Sequence, residues 1–229
     1  GRYRLGCEGI LYILIEPFNI SAELQNRFFL AYQKRENVEL KSWFKKEDES
    51  FGRFGSQIRF QENQSYFFSE ISAIDTDEAV LFHQEYAPPF RLLIIGGEHD
   101  AVTLCKIAAN LGWQVDVVTP LKEQKHSTDF PGAHAVIGAE PETFAFSEIE
   151  NNTAVVIMNH SYIRDLKYLV CLSKHLPLYI GILGAPIRRE QLFHELFDYA
   201  PETSEEFLEL IFTPAGLHIG AKTPEEIAI

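Results

Sequence analysis

Five consecutive residues, Gly96-Gly97-Glu98-His99-Asp100, carry the most chemical information in this chain. They follow the apolar run Leu92–Ile95 and open a segment of helical periodicity. A strand that turns on glycine into a helix leaves free backbone amides at the helix start, and such amides attract anions, a pyrophosphate among them. Gly96 permits the tight turn, Gly97 adds freedom beside it, and Ala101 is small enough for close helix–strand packing. Glu98, however, stands where a dinucleotide fingerprint has its second glycine, so a carboxylate faces any incoming phosphate. After the next strand comes Thr119, where an NAD-binding fold uses Asp or Glu to hold ribose hydroxyls. With two of the three features missing, NAD(P) is not the expected ligand. His99 and Asp100 either face a ligand or cap and solvate the helix start.

Other candidates fall after later strands. His160, in Asn159-His160-Ser161, follows the apolar stretch Ala154–Met158, at the carboxyl edge where open α/β sheets bind ligands. Gly181-Ile182-Leu183-Gly184 reads as a second glycine turn. Arg188 and Arg189 follow it, suited to pairing with a phosphate or carboxylate, or to a solvated helix start. Cys7, in Leu5-Gly6-Cys7-Glu8-Gly9, has an adaptable backbone that suits a soft metal or sulfur chemistry, and is the candidate metal ligand. Cys105 and Cys171 fall on apolar helix faces and read as core.

The elements that would position these residues come in two styles. Up to about Pro88 the pattern is α+β: a strand at Ile10–Glu16, a helix capped by Ser21 with Leu24, Phe28, Ala31 and Tyr32 on one face, and short strands near Val38–Phe44, Ser56–Phe60 and Ser65–Ile71. Asp75–Glu78 and Tyr86-Ala87-Pro88-Pro89-Phe90 read as a linker. From residue 89 onward strands and helices alternate, as in a parallel sheet wound with helices. Strands are expected at Leu92–Ile95, Val115–Val118, Ala135–Ile137, Ala154–Met158 and Leu178–Leu183. Helices are expected at His99–Leu111, Tyr162–His175, around Leu192–Phe197 and near Glu205–Ile211, with a further helix start at Thr223-Pro224-Glu225-Glu226. The fold class is therefore α/β: a small N-terminal α+β domain at 1–88, expected to be incomplete, and a Rossmann-like parallel-sheet domain at 89–229.

A net charge of −13 over 229 residues argues against binding a nucleic-acid backbone and favours solubility or a basic partner. No apolar run reaches the roughly 18 residues of a membrane span, so no membrane partner is expected. Three dispersed cysteines make no disulfide framework, which points to a reducing cytoplasm.

Several of these stretches together resemble one family. Pro214–Ala228 is similar to the closing motif of the XdhC/CoxI family, the accessory factors for xanthine dehydrogenase and carbon monoxide dehydrogenase. Leu92–Ala101, Leu111–Val115, Val155–His160 and Tyr179–Gly184 match that family in order and spacing, and Leu5–Gly9 with Ile15–Pro17 resembles the end of its N-terminal domain. The sequence departs from the pattern at Glu98, where a glycine is usual, and at Thr119 and His218, where an aspartate is usual. A glycine-glycine-cysteine motif of the family would lie upstream of Leu5. The resemblance implies a factor that binds the molybdenum cofactor, helps it to be sulfurated and inserts it into an apo molybdenum hydroxylase. A cysteine desulfurase is implied as a further partner, and a homodimer is a possible assembly. The Gly96 turn, His160 and the Gly181–Gly184 stretch would then line the pocket of the second domain, with Cys7 as a soft ligand. Two other readings stay open: an NAD(P)-dependent oxidoreductase, and a dimeric scaffold that has lost ligand binding.

Overall fold

In a computed structural model the chain divides into two compact units, Gly1–Pro88 and Pro89–Ile229. The structure describes residues 13–45, 55–61, 64–68, 79–146, 149, 152–184 and 187–229. Cys7 and Asp75–Glu78 lie outside these residues.

The first unit sets helix α1 (Ala22–Gln33) with a four-stranded antiparallel sheet of order β3-β2-β1-β4. Its strands are β1 (Val38–Phe44), β2 (Gly55–Arg59), β3 (Ser65–Phe67) and β4 (Val80–Tyr86). The Ser21 side chain accepts a hydrogen bond from the Leu24 amide at 3.1 Å and so starts α1. Leu24 and Ala31 bury against Ile58 and Phe60, and Phe28 meets Phe60 edge-to-face at 5.4 Å. Arg27 is buried as well. Its guanidinium donates to Glu36 at 2.7 Å and lies 4.6 Å above the Phe60 ring, so the charge is paired as it leaves water. Tyr32 is exposed, so the buried stripe of α1 is narrower than its apolar pattern suggests.

Two expectations in this unit fail. Residues 13–20 form no strand, and Ile13 and Ile15 are exposed, with no sheet neighbour among the described residues to satisfy their backbone. Val80–Tyr86, where the sequence reading places no strand and whose last residue falls in the expected linker, is a strand paired along its whole length with β1.

The second unit is built on a six-stranded parallel sheet of order β10-β9-β8-β5-β6-β7. In chain order it runs β5 (Arg91–Ile95), α2 (His99–Asn110), β6 (Gln114–Thr119), a 3₁₀ turn (Leu121–Glu123), β7 (Ala135–Gly138), β8 (Thr153–Ile157), α3 (Tyr162–Leu172), β9 (Tyr179–Ile182), α4 (Ile187–Tyr199), α5 (Glu205–Glu209), β10 (Ile211–Phe212) and α6 (Pro224–Ile227). The sheet winds outward from β5 to β6 and β7, then returns to β8 on the other side. That is the doubly wound order whose reversal point, between β5 and β8, opens a crevice.

Both faces of the sheet are covered, and this is why its central strands are apolar at nearly every position. On one face Leu93, Ile95, Val155, Ile157, Ile180 and Ile182 pack with Leu169 and Leu172 of α3 and Leu192 and Leu196 of α4. On the other, Leu92, Ile94, Val115 and Val117 pack with Ala101, Cys105 and Ala108 of α2. The apolar side chains of Leu111, Ile163 and Phe197 are exposed, so the stripe that meets the sheet is narrower than the apolar content of these stretches. No helix among the described residues is long and apolar enough to cross a membrane.

Burial of Cys105 against the sheet raises its thiol pKa from 9.0 to about 11. The expected result is that Cys105 resists iodoacetamide at pH 8 in the folded protein and reacts once the chain is unfolded in urea. The unfolded chain releases the thiol proton first. Stability should therefore fall as pH rises from 9.0 towards about 11. Rapid native alkylation at Cys105, read by mass spectrometry, would contradict this placement.

Candidate functional site

The carboxyl ends of β5, β6, β8 and β9 finish level with one another, because Ile95 is in register with Val118 and with Ile157, and Ile157 with Ile182. The ladder continues just past β5 and β8: the Gly96 amide donates to the Val118 carbonyl at 2.9 Å, and the Met158 amide to the Ile95 carbonyl at 2.8 Å. Gly96 is thereby pressed against the exit of β8. A β-carbon on it would stand 2.7 Å from the Met158 carbonyl oxygen, and its φ of +152° is rarely adopted by residues with side chains. Only glycine fits this turn.

Gly97 is buried for a different reason. A β-carbon there would meet the Glu123 carboxylate (Oε2) at 2.6 Å and the Thr119 methyl at 3.4 Å. The 3₁₀ turn that carries Glu123 begins after Pro120, is closed by a hydrogen bond from the Glu123 amide to the Pro120 carbonyl at 2.9 Å, and ends on Gln124 in the left-handed conformation. Leu121 braces the turn against Gly138 at the end of β7. Thr119 is fully buried, and its hydroxyl has no hydrogen-bond partner among the described residues.

Glu98 is the N-cap of α2, with φ −85°, so no backbone strain marks the replacement of a glycine; what changes is charge and bulk. It is exposed, as is His99. Asp100 is buried, accepts from the Ala101 amide at 2.9 Å, and brings its other oxygen to 3.8 Å from Nε2 of His160 across the crevice. His160 itself is exposed. At this range the two groups face each other across the crevice without a direct hydrogen bond. Asn159 fixes the β8 exit by donating to the fully buried Asp165 in the first turn of α3, at 3.1 Å.

The structure thus gathers Gly96, Gly97, Glu98, His99, Asp100 and His160 at one edge. It separates the glycines of the later stretch. Gly181 is the third residue of β9, not part of a turn, and its missing β-carbon makes room for the Tyr179 ring at 2.8 Å and for Ala215 at 3.1 Å. Gly184 lies past the strand with φ +143°. Arg188 falls in the first turn of α4, and Arg189, also in that turn, is exposed with its guanidinium 5.1 Å from the Phe193 ring centroid. Among the described residues no three metal-binding side chains come together. Glu123 lies outside the residues that the sequence pattern singles out. The signal for it is an acidic residue within one turn of the end of β6, a looser rule than an acid on the strand tip.

A cavity of about 300 Å³ in the same unit lies elsewhere, lined by Arg91, Asp116, Phe144 and Thr153 among others. It opens near the amino-terminal ends of β5 and β8, away from the edge where such sheets hold ligands. Its charges are engaged with one another: Arg91 donates to Asp116 at 2.8 Å, and the other Asp116 oxygen meets His134 at 2.9 Å.

Strand order, the glycine at positive φ at the reversal point and a helix starting there define a Rossmann-type α/β domain. Residues 92–229 match the model of the XdhC Rossmann domain, and the chain belongs to the XdhC family. It is 33% identical over 151 residues to a Bacillus subtilis (strain 168) protein named as a probable subunit of xanthine dehydrogenase, a match covering 65% of this chain and 43% of that one. It is 29% identical over 143 residues to the YqeB protein of Escherichia coli K12, covering 61% of this chain and 25% of that protein. Among solved structures it is similar to one described as a xanthine dehydrogenase from Bacillus halodurans, with TM-score 0.69 and 26% identity, over 90% of this chain and 60% of that chain. The chain spans less than half the length of these two curated relatives.

Replacing Gly96 by Ala should cost more than about 1 kcal/mol of stability, because the new β-carbon meets backbone and the residue is held at positive φ. Thr119→Val should do the opposite, raising stability by about 1 kcal/mol as an unsatisfied buried hydroxyl is removed at constant shape. Urea titration of both variants checks the pair, and an unchanged midpoint for Gly96→Ala would refute the close approach of Gly96 to Met158.

Proposed function

We propose that the chain is part of an accessory factor that binds the molybdenum cofactor and assists its sulfuration and insertion into a xanthine-dehydrogenase-type molybdenum hydroxylase. The observation that carries this reading is membership of the XdhC family over nearly the whole second unit. The name of the Bacillus subtilis relative supports it. The crevice between β5 and β8 suits a cargo with a flat heterocycle and a charged tail. Around the glycine turn, Asp100, His160 and Glu123 supply groups that grip ring nitrogens and hydroxyls. The tail phosphate is less welcome at the start of α2, where Glu98 and Glu123 oppose the helix dipole. Arg189, with Arg188 beside it in sequence, lies in the first turn of α4 after the carboxyl end of β9 and offers positive charge instead. Cys7 remains the proposed soft ligand in the first unit, and a cysteine desulfurase the proposed sulfur source.

An NAD(P)-dependent reaction has only strand order in its favour. A diphosphate lying on the glycine turn would face two carboxylates, each costing on the order of 1 kcal/mol or more at this range and polarity.

The purified protein, mixed with molybdenum cofactor under anaerobic conditions, should elute with it from a size-exclusion column. A strain lacking the gene should make the partner hydroxylase with a deficit of molybdenum. If the cofactor does not co-elute and the hydroxylase is fully loaded without the gene, this function is wrong.

A further inference from the structure

The antiparallel sheet of the first unit ends on two unlike edges. β3 is three residues long, whereas β4 is seven and pairs with β1 residue for residue, without a bulge. Among the described residues no strand pairs with the outer side of β4. Folded proteins usually protect such an edge with lysine, proline, a bulge or a very short strand. β3 has the last of these; β4 has none. Register puts Phe82 and Tyr86 on the face that carries Leu40 and Ile58, because Gln84 lies opposite Leu40 and Leu40 opposite Ile58. That is the face α1 covers, yet Phe82 is 47% and Tyr86 46% exposed, so the cover stops short of β4. On the other face Glu85 lies directly opposite Glu39, a like-charge pair. Glu39 is held by Lys41, Arg59 and His83, while no hydrogen bond or ion pair reaches Glu85 among the described residues.

The order of side chains along β4 supplies its own complement. Phe82-His83-Gln84-Glu85-Tyr86 reads aromatic, basic, amide, acidic, aromatic, and reversed it exchanges only the two charges. An antiparallel copy centred on Gln84 therefore sets Phe82 against Tyr86 and His83 against Glu85, twice each by symmetry. Gln84 meets Gln84, and each amide offers both donors and an acceptor. His83 meets Glu39 through Nε2 at 2.7 Å, which leaves Nδ1 for the second copy's Glu85. Beyond these pairs Leu81 faces Ala87, and the ladder stops at Pro88, which has no amide to give. A register centred on His83 would instead set Phe82 against Gln84 and Leu81 against Glu85, losing both kinds of match. We propose that β4 is a homodimer interface, at which two copies join their four-stranded sheets edge to edge about a two-fold axis at Gln84. The interface goes beyond the cofactor reading and does not depend on it.

The test uses the whole chain in sedimentation velocity at micromolar concentration, with the urea midpoint as the control for folding. Wild type should sediment as a dimer. Gln84→Lys and Gln84→Glu each bring like charges together on the axis, and each alone should weaken the dimer by about tenfold or more. Mixed, the two variants should restore it, because the axis then carries opposite charges. Gln84→Cys should form a disulfide-linked dimer under mild oxidation, beyond any cross-linking of wild type, since directly opposed residues of an antiparallel ladder have α-carbons about 4.5 or 5.5 Å apart. Ser65→Cys, on the β3 edge, should not. The proposal is overturned if wild type is a monomer, if either charged variant alone stays as dimeric as wild type, if their mixture fails to associate, or if Gln84→Cys does not cross-link. Co-elution of the cofactor with a monomeric wild type would refute this interface and leave the accessory role standing, and a β4-linked dimer that binds no cofactor would do the reverse.

Discussion

The Met158 carbonyl passes so close to Gly96 that no β-carbon fits between them, and the arrangement of the second unit's site follows from that contact. It is a consequence of winding. Where the strand order reverses, the chain leaving β5 and the chain leaving β8 depart in different directions from adjacent strands, and their backbones must pass closely before they separate. Bringing them together places the start of α2 at the crevice, sets Asp100 across from His160, and leaves Gly97 facing the end of β6. Had the turn carried an ordinary residue, β5 and β8 could not have kept their register to the last rung, and the polar groups would not share an edge.

Much of the second unit is legible in the sequence, and for a physical reason. A parallel sheet covered on both faces needs apolar side chains along its central strands, so Leu92–Ile95 and Ala154–Met158 announce themselves without alternation. Tight turns announce themselves through glycine, and helix starts through caps, as at Thr223, whose hydroxyl and Glu226 carboxylate complete a reciprocal capping box. The small residues of α2, Ala101, Cys105 and Ala108, mark its buried face correctly because a helix lying on a sheet needs a narrow, small-residue stripe.

What is not legible depends on partners distant in sequence. β4 opens on the apolar run Val80-Leu81-Phe82, but its side chains stay exposed or half-exposed; it is a strand because β1 supplies its hydrogen bonds, and that pairing is not written in the segment itself. β10 is two residues long and exists through β9. Gly181 shows the limit of reading glycine as a turn: the same absence of a side chain serves ring packing inside a strand. Glu123 escapes a sequence reading because its position depends on how a proline and a 3₁₀ turn fold back, not on its distance from the strand end.

Helix α6 has one further consequence. Its four residues are too few to persist alone, so its order is borrowed from α2, against which it lies, with Ala228 buried just beyond it. The two helices are thus mechanically linked. The place of the stretch around Thr223 is therefore set by the same helix whose first turn borders the crevice.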